Sequence, residues 1–377
     1  DPGFSPSDIV GVELTQDEID LLARERPGAQ IWPLSPLQQG LLFQSELSAQ
    51  VPGGVDAYLM QSAVDLRGDI DEARLRVAAQ RLTDRHQVLR SSFVRTASGQ
   101  AVAVVEPAVD VAWETVDLRA ETDIEAARTR VRDIAEQQTR TRLDLARPPL
   151  IRFTFVRLPD DSSTLIITNH HLLADGWSTP LMMAELFAGY GGIDVTTPAP
   201  SYRSFLDWVA RSDAAAGQQA WREFLAAVTG PTLFAANRRG DTGGASVDHR
   251  ETLGPDLTAA LSRVSRELEV TSAVLLQFAW AVLLHKLTGE DTVVFGETVS
   301  GRPPELDGAD AMIGLLINTL PVAVTFDDDL PIADALADLA ARKATVLDHQ
   351  HLSLTDIAKA AGLGELFDTL VVYESYP

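Results

Sequence analysis

The chain has 377 residues, 31 Lys+Arg against 54 Asp+Glu for a net charge of −23, 45% hydrophobic residues and no cysteine. Such a composition can bury a core, which excludes a disordered chain, and at roughly 150 residues per domain the length predicts two domains. The acidic balance repels phosphate backbones and anionic membrane surfaces, so neither nucleic acid nor membrane is an expected partner, and the absence of Cys removes disulfides, thiolate nucleophiles and Cys-ligated metals and fits a reducing, cytoplasmic compartment.

Asp1 to Ser7 hold two prolines and no basic flank before an apolar run, so no signal peptide is read there. Thr15 and Glu18 have capping-box spacing ahead of a short helix that ends this Pro/Gly/Ser-containing start. Helical periodicity follows at Ile70, Ala73, Val77 and Ala78, and again at Ile124, Ala127, Val131 and Ile134, the second preceded by Thr122 with Glu125 three residues on. Both helices carry an Arg-rich face, which is expected to be solvated. Strand-like runs span Leu150 to Leu158 and Leu165 to Thr168. Gly191-Gly192 and Pro198-Ala199-Pro200 then mark a domain boundary, dividing residues 27–198 from 199–377.

Beyond the boundary, helical runs are predicted at Tyr202 to Arg211 and Thr271 to Leu287, and strands at Thr292 to Phe295, Leu320 to Phe326 and Leu370 to Tyr373. The apolar stretch Ala273 to Leu284 is interrupted by Gln277 and is shorter than the roughly 20 residues a membrane span needs, so it reads as a buried core helix. Each half mixes helices and strands, which predicts two α/β layers packed side by side, with a ligand cleft between them.

Chemistry concentrates in Thr164-Leu-Ile-Ile-Thr-Asn-His-His-Leu-Leu-Ala-Asp-Gly-Trp-Ser178. The β-branched run reads as a strand, and Ser178 or Thr179 ahead of Pro180 reads as the N-cap of a helix. If His170 and His171 continue the strand, their side chains point to opposite faces, one toward a cleft and one into the protein. Asp175 and Gly176 fall at the helix start, where Gly lets backbone N–H groups approach a ligand. Taken alone, a His pair at a strand end is more often a satisfied core histidine with a neighbour. Two His and an Asp can ligate zinc or iron, but neighbours on opposite faces do not readily chelate one ion, and no HExxH spacing occurs.

His170-His171-Leu-Leu-Ala-Asp175-Gly176, followed by Trp177-Ser178, resembles the HHxxxDG signature of the condensation domains of nonribosomal peptide synthetases, enzymes related in fold to chloramphenicol acetyltransferase. Leu34-Ser35-Pro36-Leu37-Gln38-Gln39-Gly40-Leu41-Leu42-Phe43 is similar to the family's opening segment, and Arg85-His86-Gln87-Val88-Leu89-Arg90-Ser91-Ser92-Phe93 to its RHxxLRTxF segment, with Ser for Thr. Ser201 to Trp208, Val299-Ser300-Gly301-Arg302-Pro303, Ile313 to Leu320 and Phe367-Asp368-Thr369-Leu370 follow in the family's order. Two departures stand out. Pro321-Val322-Ala323-Val324 has no Arg where the family carries one, and the chain ends at Pro377, where family members continue, so the C-terminal part is expected to be incomplete. Gly243-Gly244-Ala245-Ser246 is only faintly like a carrier's phosphopantetheine-serine motif, has no helix pair around it, and is rejected as one.

The resemblance implies an α/β (α+β) fold of two chloramphenicol-acetyltransferase-like subdomains forming a V-shaped pseudo-dimer, with residues 1–26 a linker from an upstream carrier protein. It also implies amide-bond formation between a donor acyl or peptidyl thioester and an acceptor aminoacyl thioester. No cofactor or metal is expected to be bound, because the substrates arrive on the 4'-phosphopantetheine arms of upstream donor and downstream acceptor carrier proteins, with an adenylation domain adjacent. An amine with pKa about 7.7–8.0 is partly neutral at pH 7, so alignment and removal of one proton are the remaining tasks. His171 is the expected proton acceptor. His170 is expected on the packed face, and Gly176 with the helix start beside a developing oxyanion. Asp175 is expected to pair with an arginine from the other half, Arg302 first and Arg90 second. Trp177, Ser300 and Asn318 are expected along a substrate tunnel. Epimerisation and non-catalytic recruitment domains of the same family are the alternatives. The intact motif and the Ile317-Asn318-Thr319-Leu320 segment favour condensation.

Overall fold

A computed structural model describes residues 5–51, 54–235 and 247–374; Gly243-Gly244-Ala245-Ser246 lies outside the described residues. The backbone divides into two compact units, Asp1–Ser212 with Arg302–Leu316, and Asp213–Gly301 with Ile317–Pro377. In chain order the first unit holds α1 (Gln16–Glu25), β1 (Gln30–Trp32), α2 (Pro36–Ala49), β2 (Leu59–Arg67), α3 (Glu72–Arg85), β3 (Ser91–Arg95), β4 (Ala101–Val105), β5 (Ala112–Asp117), α4 (Ile124–Arg140), β6 (Ile151–Arg157), β7 (Ser162–His170), α5 (Ser178–Tyr190) and α6 (Tyr202–Arg211). The second holds α7 (Ala214–Phe224), α8 (Pro255–Glu267), α9 (Ser272–Thr288), β8 (Thr292–Val299), β9 (Asn318–Thr325), α10 (Ile332–Ala344), α11 (Leu354–Ala360) and β10 (Leu370–Val371).

The division therefore falls after Ser212 and not between 198 and 199. The reason is α6, which Tyr202 ties into the first unit: its ring is buried and its hydroxyl donates to the Leu315 carbonyl at 2.7 Å. Gly314 lies so close to this ring that a Cβ there would overlap it. Segment 302–316 thus folds with the first unit although it comes late in the chain.

Four strands of the first unit run in the order β2-β7-β6-β5. β7 is central, antiparallel to β2 and β6, and apart from Ser162 it is buried throughout, which is what its β-branched run requires. Its last residue, His170, pairs with Leu59. Helix α4 covers one face through Ala127 and Val131 against Val156, Leu158 and Ile166, leaving Arg128, Arg130 and Arg132 exposed. Its N-cap is Asp123, whose carboxylate accepts from Glu125 N–H, and not Thr122. Helix α3 also differs from the sequence pattern. Leu75, Ala78, Ala79 and Leu82 face inward while Val77 is 52% exposed, because the helix starts after its Asp71 cap and Ile70 lies outside it.

Several of the described residues before β1 are packed. Ile9, Leu14 and Ile19 form a cluster with Ile31, Val102 and Val104, over the small sheet β1-β4-β3. In the second unit β8 lies between β10 and β9. Phe278, Ala281 and Leu284 of α9 pack with Val293, Phe295, Val322 and Val324, so the apolar run around Gln277 is a core helix. Trp221 and Phe224 of α7 and Ile357 of α11 pack with Val294, Leu320 and Ala323. The expected last strand is shorter than predicted: Leu370 and Val371 pair in parallel with Gly296 and Glu297 of β8. No single described helix is long and apolar enough to cross a membrane.

Candidate active site

The two histidines part at the end of β7. His170 is the last strand residue and 0% exposed. Its Nδ1 accepts the Leu172 N–H at 3.1 Å, so the ring proton lies on Nε2, which faces Ser45 Oγ at 3.3 Å and Asp56 Oδ2 at 3.4 Å. His171 starts the following turn and is partly exposed. Its backbone N–H donates to the Tyr58 carbonyl at 2.8 Å, and its Nδ1 lies 3.0 Å from the Ala174 carbonyl, a contact that places the proton on Nδ1. Nε2 is then left with a lone pair. Burial pushes the His171 pKa below its ordinary value, outweighing the opposing contacts with its own backbone, Asp175 and Ala174. The neutral ring needed to accept a proton is therefore the favoured form at neutral pH.

Asp175 is also fully buried, and both of its oxygens are engaged. Oδ1 accepts the Ser178 N–H and hydroxyl, each at 2.8 Å, and Arg302 at 3.3 Å. Oδ2 accepts Arg302 at 3.1 Å and the Leu316 N–H at 3.0 Å. The Arg302 side chain, 3% exposed, also donates to the Met312 carbonyl. The pair expected across two halves of the domain thus forms inside the first unit, because segment 302–316 folds there. Arg90, the runner-up, is not part of it: its guanidinium donates to the backbone carbonyls of Thr83, Asp84 and Glu106. Helix α5 is capped differently from the sequence pattern too. Trp177 is its N-cap and, with only an N–H donor on its indole, makes no side-chain cap bond, while the Ser178 hydroxyl is drawn to Asp175 and to both the carbonyl and the N–H of Gly314.

Gly176 is half-buried in the turn before α5 and is not among the positive-φ glycines, so what it offers is a missing side chain and not a left-handed backbone. Trp177 is likewise half-buried. Ser300 and Asn318 belong to the second unit, where the Asn318 amide donates to the Gln350 and Leu352 carbonyls, each at 2.7 Å. The two conspicuous upstream segments have local tasks. Ser35 and Gln38 form the reciprocal cap of α2, and Gln38 reaches on to the Leu172 carbonyl at 2.9 Å. His86 meets Glu185 at 2.8 Å and joins α3 to α5. Sequence reasoning missed Ser45, Asp56, Tyr58, Arg142 and Gly314. Only Gly314 had a signal, its place in the Ile313 to Leu320 motif.

The sequence pattern of the condensation domain matches residues 29–377. Chondramide synthase cmdD of Chondromyces crocatus is 32% identical over 99% of this chain, and one of the linear gramicidin synthase proteins of Brevibacillus parabrevis is 33% identical over 99%. The chain spans only 11% and 7% of those two synthases. Among solved structures, the first condensation domain of the calcium-dependent antibiotic synthetase, in complex with a substrate analogue, superposes with a TM-score of 0.71 at 20% identity, covering 91% of this chain and 80% of that one. A four-domain nonribosomal peptide synthetase, holo-AB3403, matches with a TM-score of 0.72 at 19% identity over 93% of this chain and 27% of its own. The fold is that of the solved condensation domains. The chain belongs to the condensation domain family.

Proposed function

We propose that His171 Nε2 receives the proton released when an acceptor aminoacyl amine attacks a donor acyl or peptidyl thioester, both held on phosphopantetheine arms of carrier proteins. The nitrogen bonds to the thioester carbon, the C–S bond breaks, and the proton taken by His171 passes to the departing thiolate. One observation carries this reading: the contact of His171 Nδ1 with the Ala174 carbonyl leaves Nε2 as a lone-pair acceptor on a ring that burial keeps neutral. Gly176, half-buried ahead of α5, is assigned to the side of the developing oxyanion. His170, Asp175 and Arg302 hold the loop and do not touch substrate, as their burial supports. The donor carrier lies upstream and the acceptor carrier downstream in the longer protein, next to an adenylation domain, and the reaction takes place in the cytoplasm. No metal or soluble cofactor enters the scheme, since a thioester is already activated.

The test loads two carrier proteins with defined aminoacyl groups and follows dipeptidyl product by intact-protein mass spectrometry. His171→Ala should slow product formation by about 10²–10⁴-fold without weakening binding of loaded carriers. Wild-type rates in that variant, or inactivation of the unmodified protein by a chelator, would overturn the scheme.

A further inference from the structure

We infer that Asp56, held by Arg142, is the positioning residue that fixes His171, an assignment that rests on the role proposed for His171 above. Asp56 lies in the short connection between α2 and β2 and is 3% exposed. Its Oδ1 accepts the Tyr58 N–H at 3.1 Å, and the Tyr58 carbonyl in turn accepts the His171 N–H at 2.8 Å. Its Oδ2 faces His170 Nε2 at 3.4 Å. His170 is joined through its own peptide bond to His171 and through Nδ1 to the Leu172 N–H. One carboxylate therefore meets the His170 ring directly and reaches the His171 backbone through Tyr58.

A buried carboxylate needs compensation, and it is present. Burial alone would raise the Asp56 pKa, but the His170 contact, the Tyr58 N–H and the Arg142 charge together hold it below its ordinary value. Arg142 reaches in from beyond α4, with one nitrogen 3.3 Å from Asp56 Oδ2 and 2.5 Å from the Ser45 carbonyl. The other contacts Ser48 Oγ at 3.0 Å and the Gly54 carbonyl at 3.4 Å. The Ser45 hydroxyl closes the cluster onto Asp56 Oδ1 at 3.1 Å. Arg142 thus binds the end of α2 to the connection that carries Asp56. The mechanism needs none of these groups to touch substrate. What they supply is the height and tautomer of the His171 ring, since a shift of the His171 backbone moves Nδ1 off the Ala174 carbonyl.

The experiment compares Asp56→Asn, Asp56→Ala and Arg142→Lys with the unmodified protein in three measurements: kcat and KM in the carrier-loaded condensation assay, melting temperature, and histidine ring ¹⁵N NMR shifts, with the His171 signal assigned by its loss in His171→Ala. Asp56→Ala should lower kcat by about 10²-fold with KM unchanged, the loss expected for a misplaced reacting group. It should also move the His171 signals from a single Nδ1–H form to a mixture of tautomers. Asp56→Asn keeps an acceptor for Tyr58 and should recover part of the rate and of the shift, and if Asp56→Ala does not fold, the same readings are taken from Asp56→Asn and Arg142→Lys. A His171 signal unchanged in folded Asp56 variants would overturn the proposal, as would rates that fall only in proportion to the folded fraction. If His171→Ala condenses at the wild-type rate, the chemical role of His171 fails instead, and the NMR shifts still decide whether Asp56 positions it.

Discussion

Replacing Asp175 by Asn keeps the shape of the side chain and removes the charge that Arg302 faces. The consequences can be followed oxygen by oxygen. If the new NH2 takes the place of Oδ1, it points at the Ser178 N–H and hydroxyl; if it takes the place of Oδ2, it points at Arg302 and the Leu316 N–H. Either orientation sets donor against donor, and either leaves the Arg302 guanidinium buried at 3% exposure without its counter-charge. Breaking a buried pair on one side typically costs about 3–5 kcal/mol. Against a total stability of about 5–15 kcal/mol this is a large fraction. At about 2–4 °C per kcal/mol for a domain of this size, the melting temperature should fall by about 6–20 °C.

Circular dichroism melts of Asp175→Asn, Arg302→Gln and the double variant decide the matter. If the two side chains act as one unit, the double variant should lose much less than the sum of the singles. Strictly additive losses would show that the pair is not coupled. An unchanged melting temperature with condensation abolished would refute the structural assignment and make Asp175 a participant in the chemistry.

The condensation rate should be high above pH 6.5 and fall as the pH drops through a value below it, because His171 must be neutral to accept a proton and burial depresses its pKa; an acid limb centred above 6.5 contradicts this. His170→Ala should lower soluble yield and melting temperature, since it removes the Leu172 N–H acceptor and the Nε2 partner of Asp56 in a sealed site, and a normal melt would count against it. Gly314→Ala should cost about 1–3 kcal/mol, as the new Cβ must displace the Tyr202 ring; an unaltered melt would mean that the ring moves freely.

Period and punctuation made much of the fold legible. The β-branched run predicted β7, capping-box spacing predicted α1, and the apolar stretch around Gln277 predicted α9 as a core helix. Strand β2 escaped because Gln61, Ser62, Asp65 and Arg67 interrupt its apolar residues and only its second half alternates half-buried with exposed positions. The face of α3 was misplaced because Ile70, Ala73 and Val77 form a stripe beside the true one at Leu75, Ala78 and Leu82. At the site, a difference between His170 and His171 was expected from strand alternation, but β7 ends at His170 and it is the turn begun by His171 that parts them. The Asp175 and Arg302 pair came only through family resemblance, since no spacing links positions 127 residues apart. Asp56 and Arg142 are 86 residues apart and carry no motif, so only their convergence in space reveals them.

The loop from His170 to Ser178 is held at two ends by two independent charged centres. At the strand end Asp56 and Arg142 secure His170 and, through Tyr58, the His171 backbone. At the helix end Asp175 and Arg302 secure Ser178 and the 312–316 segment. Burying three charged groups, with Arg142 partly exposed beside them, is a costly way to stabilise a fold, and well-packed apolar side chains often do as well or better. Charged pairs differ from apolar packing in directionality, since each carboxylate here accepts backbone N–H groups at fixed distances and so sets the path of the chain to a fraction of an ångström. A proton acceptor must be placed to that tolerance, whereas a core need not be. On this argument, apolar replacement of both members of either pair should give a protein that melts normally and condenses slowly. Normal melting with normal turnover in such a variant would show that the charges are not needed for the geometry.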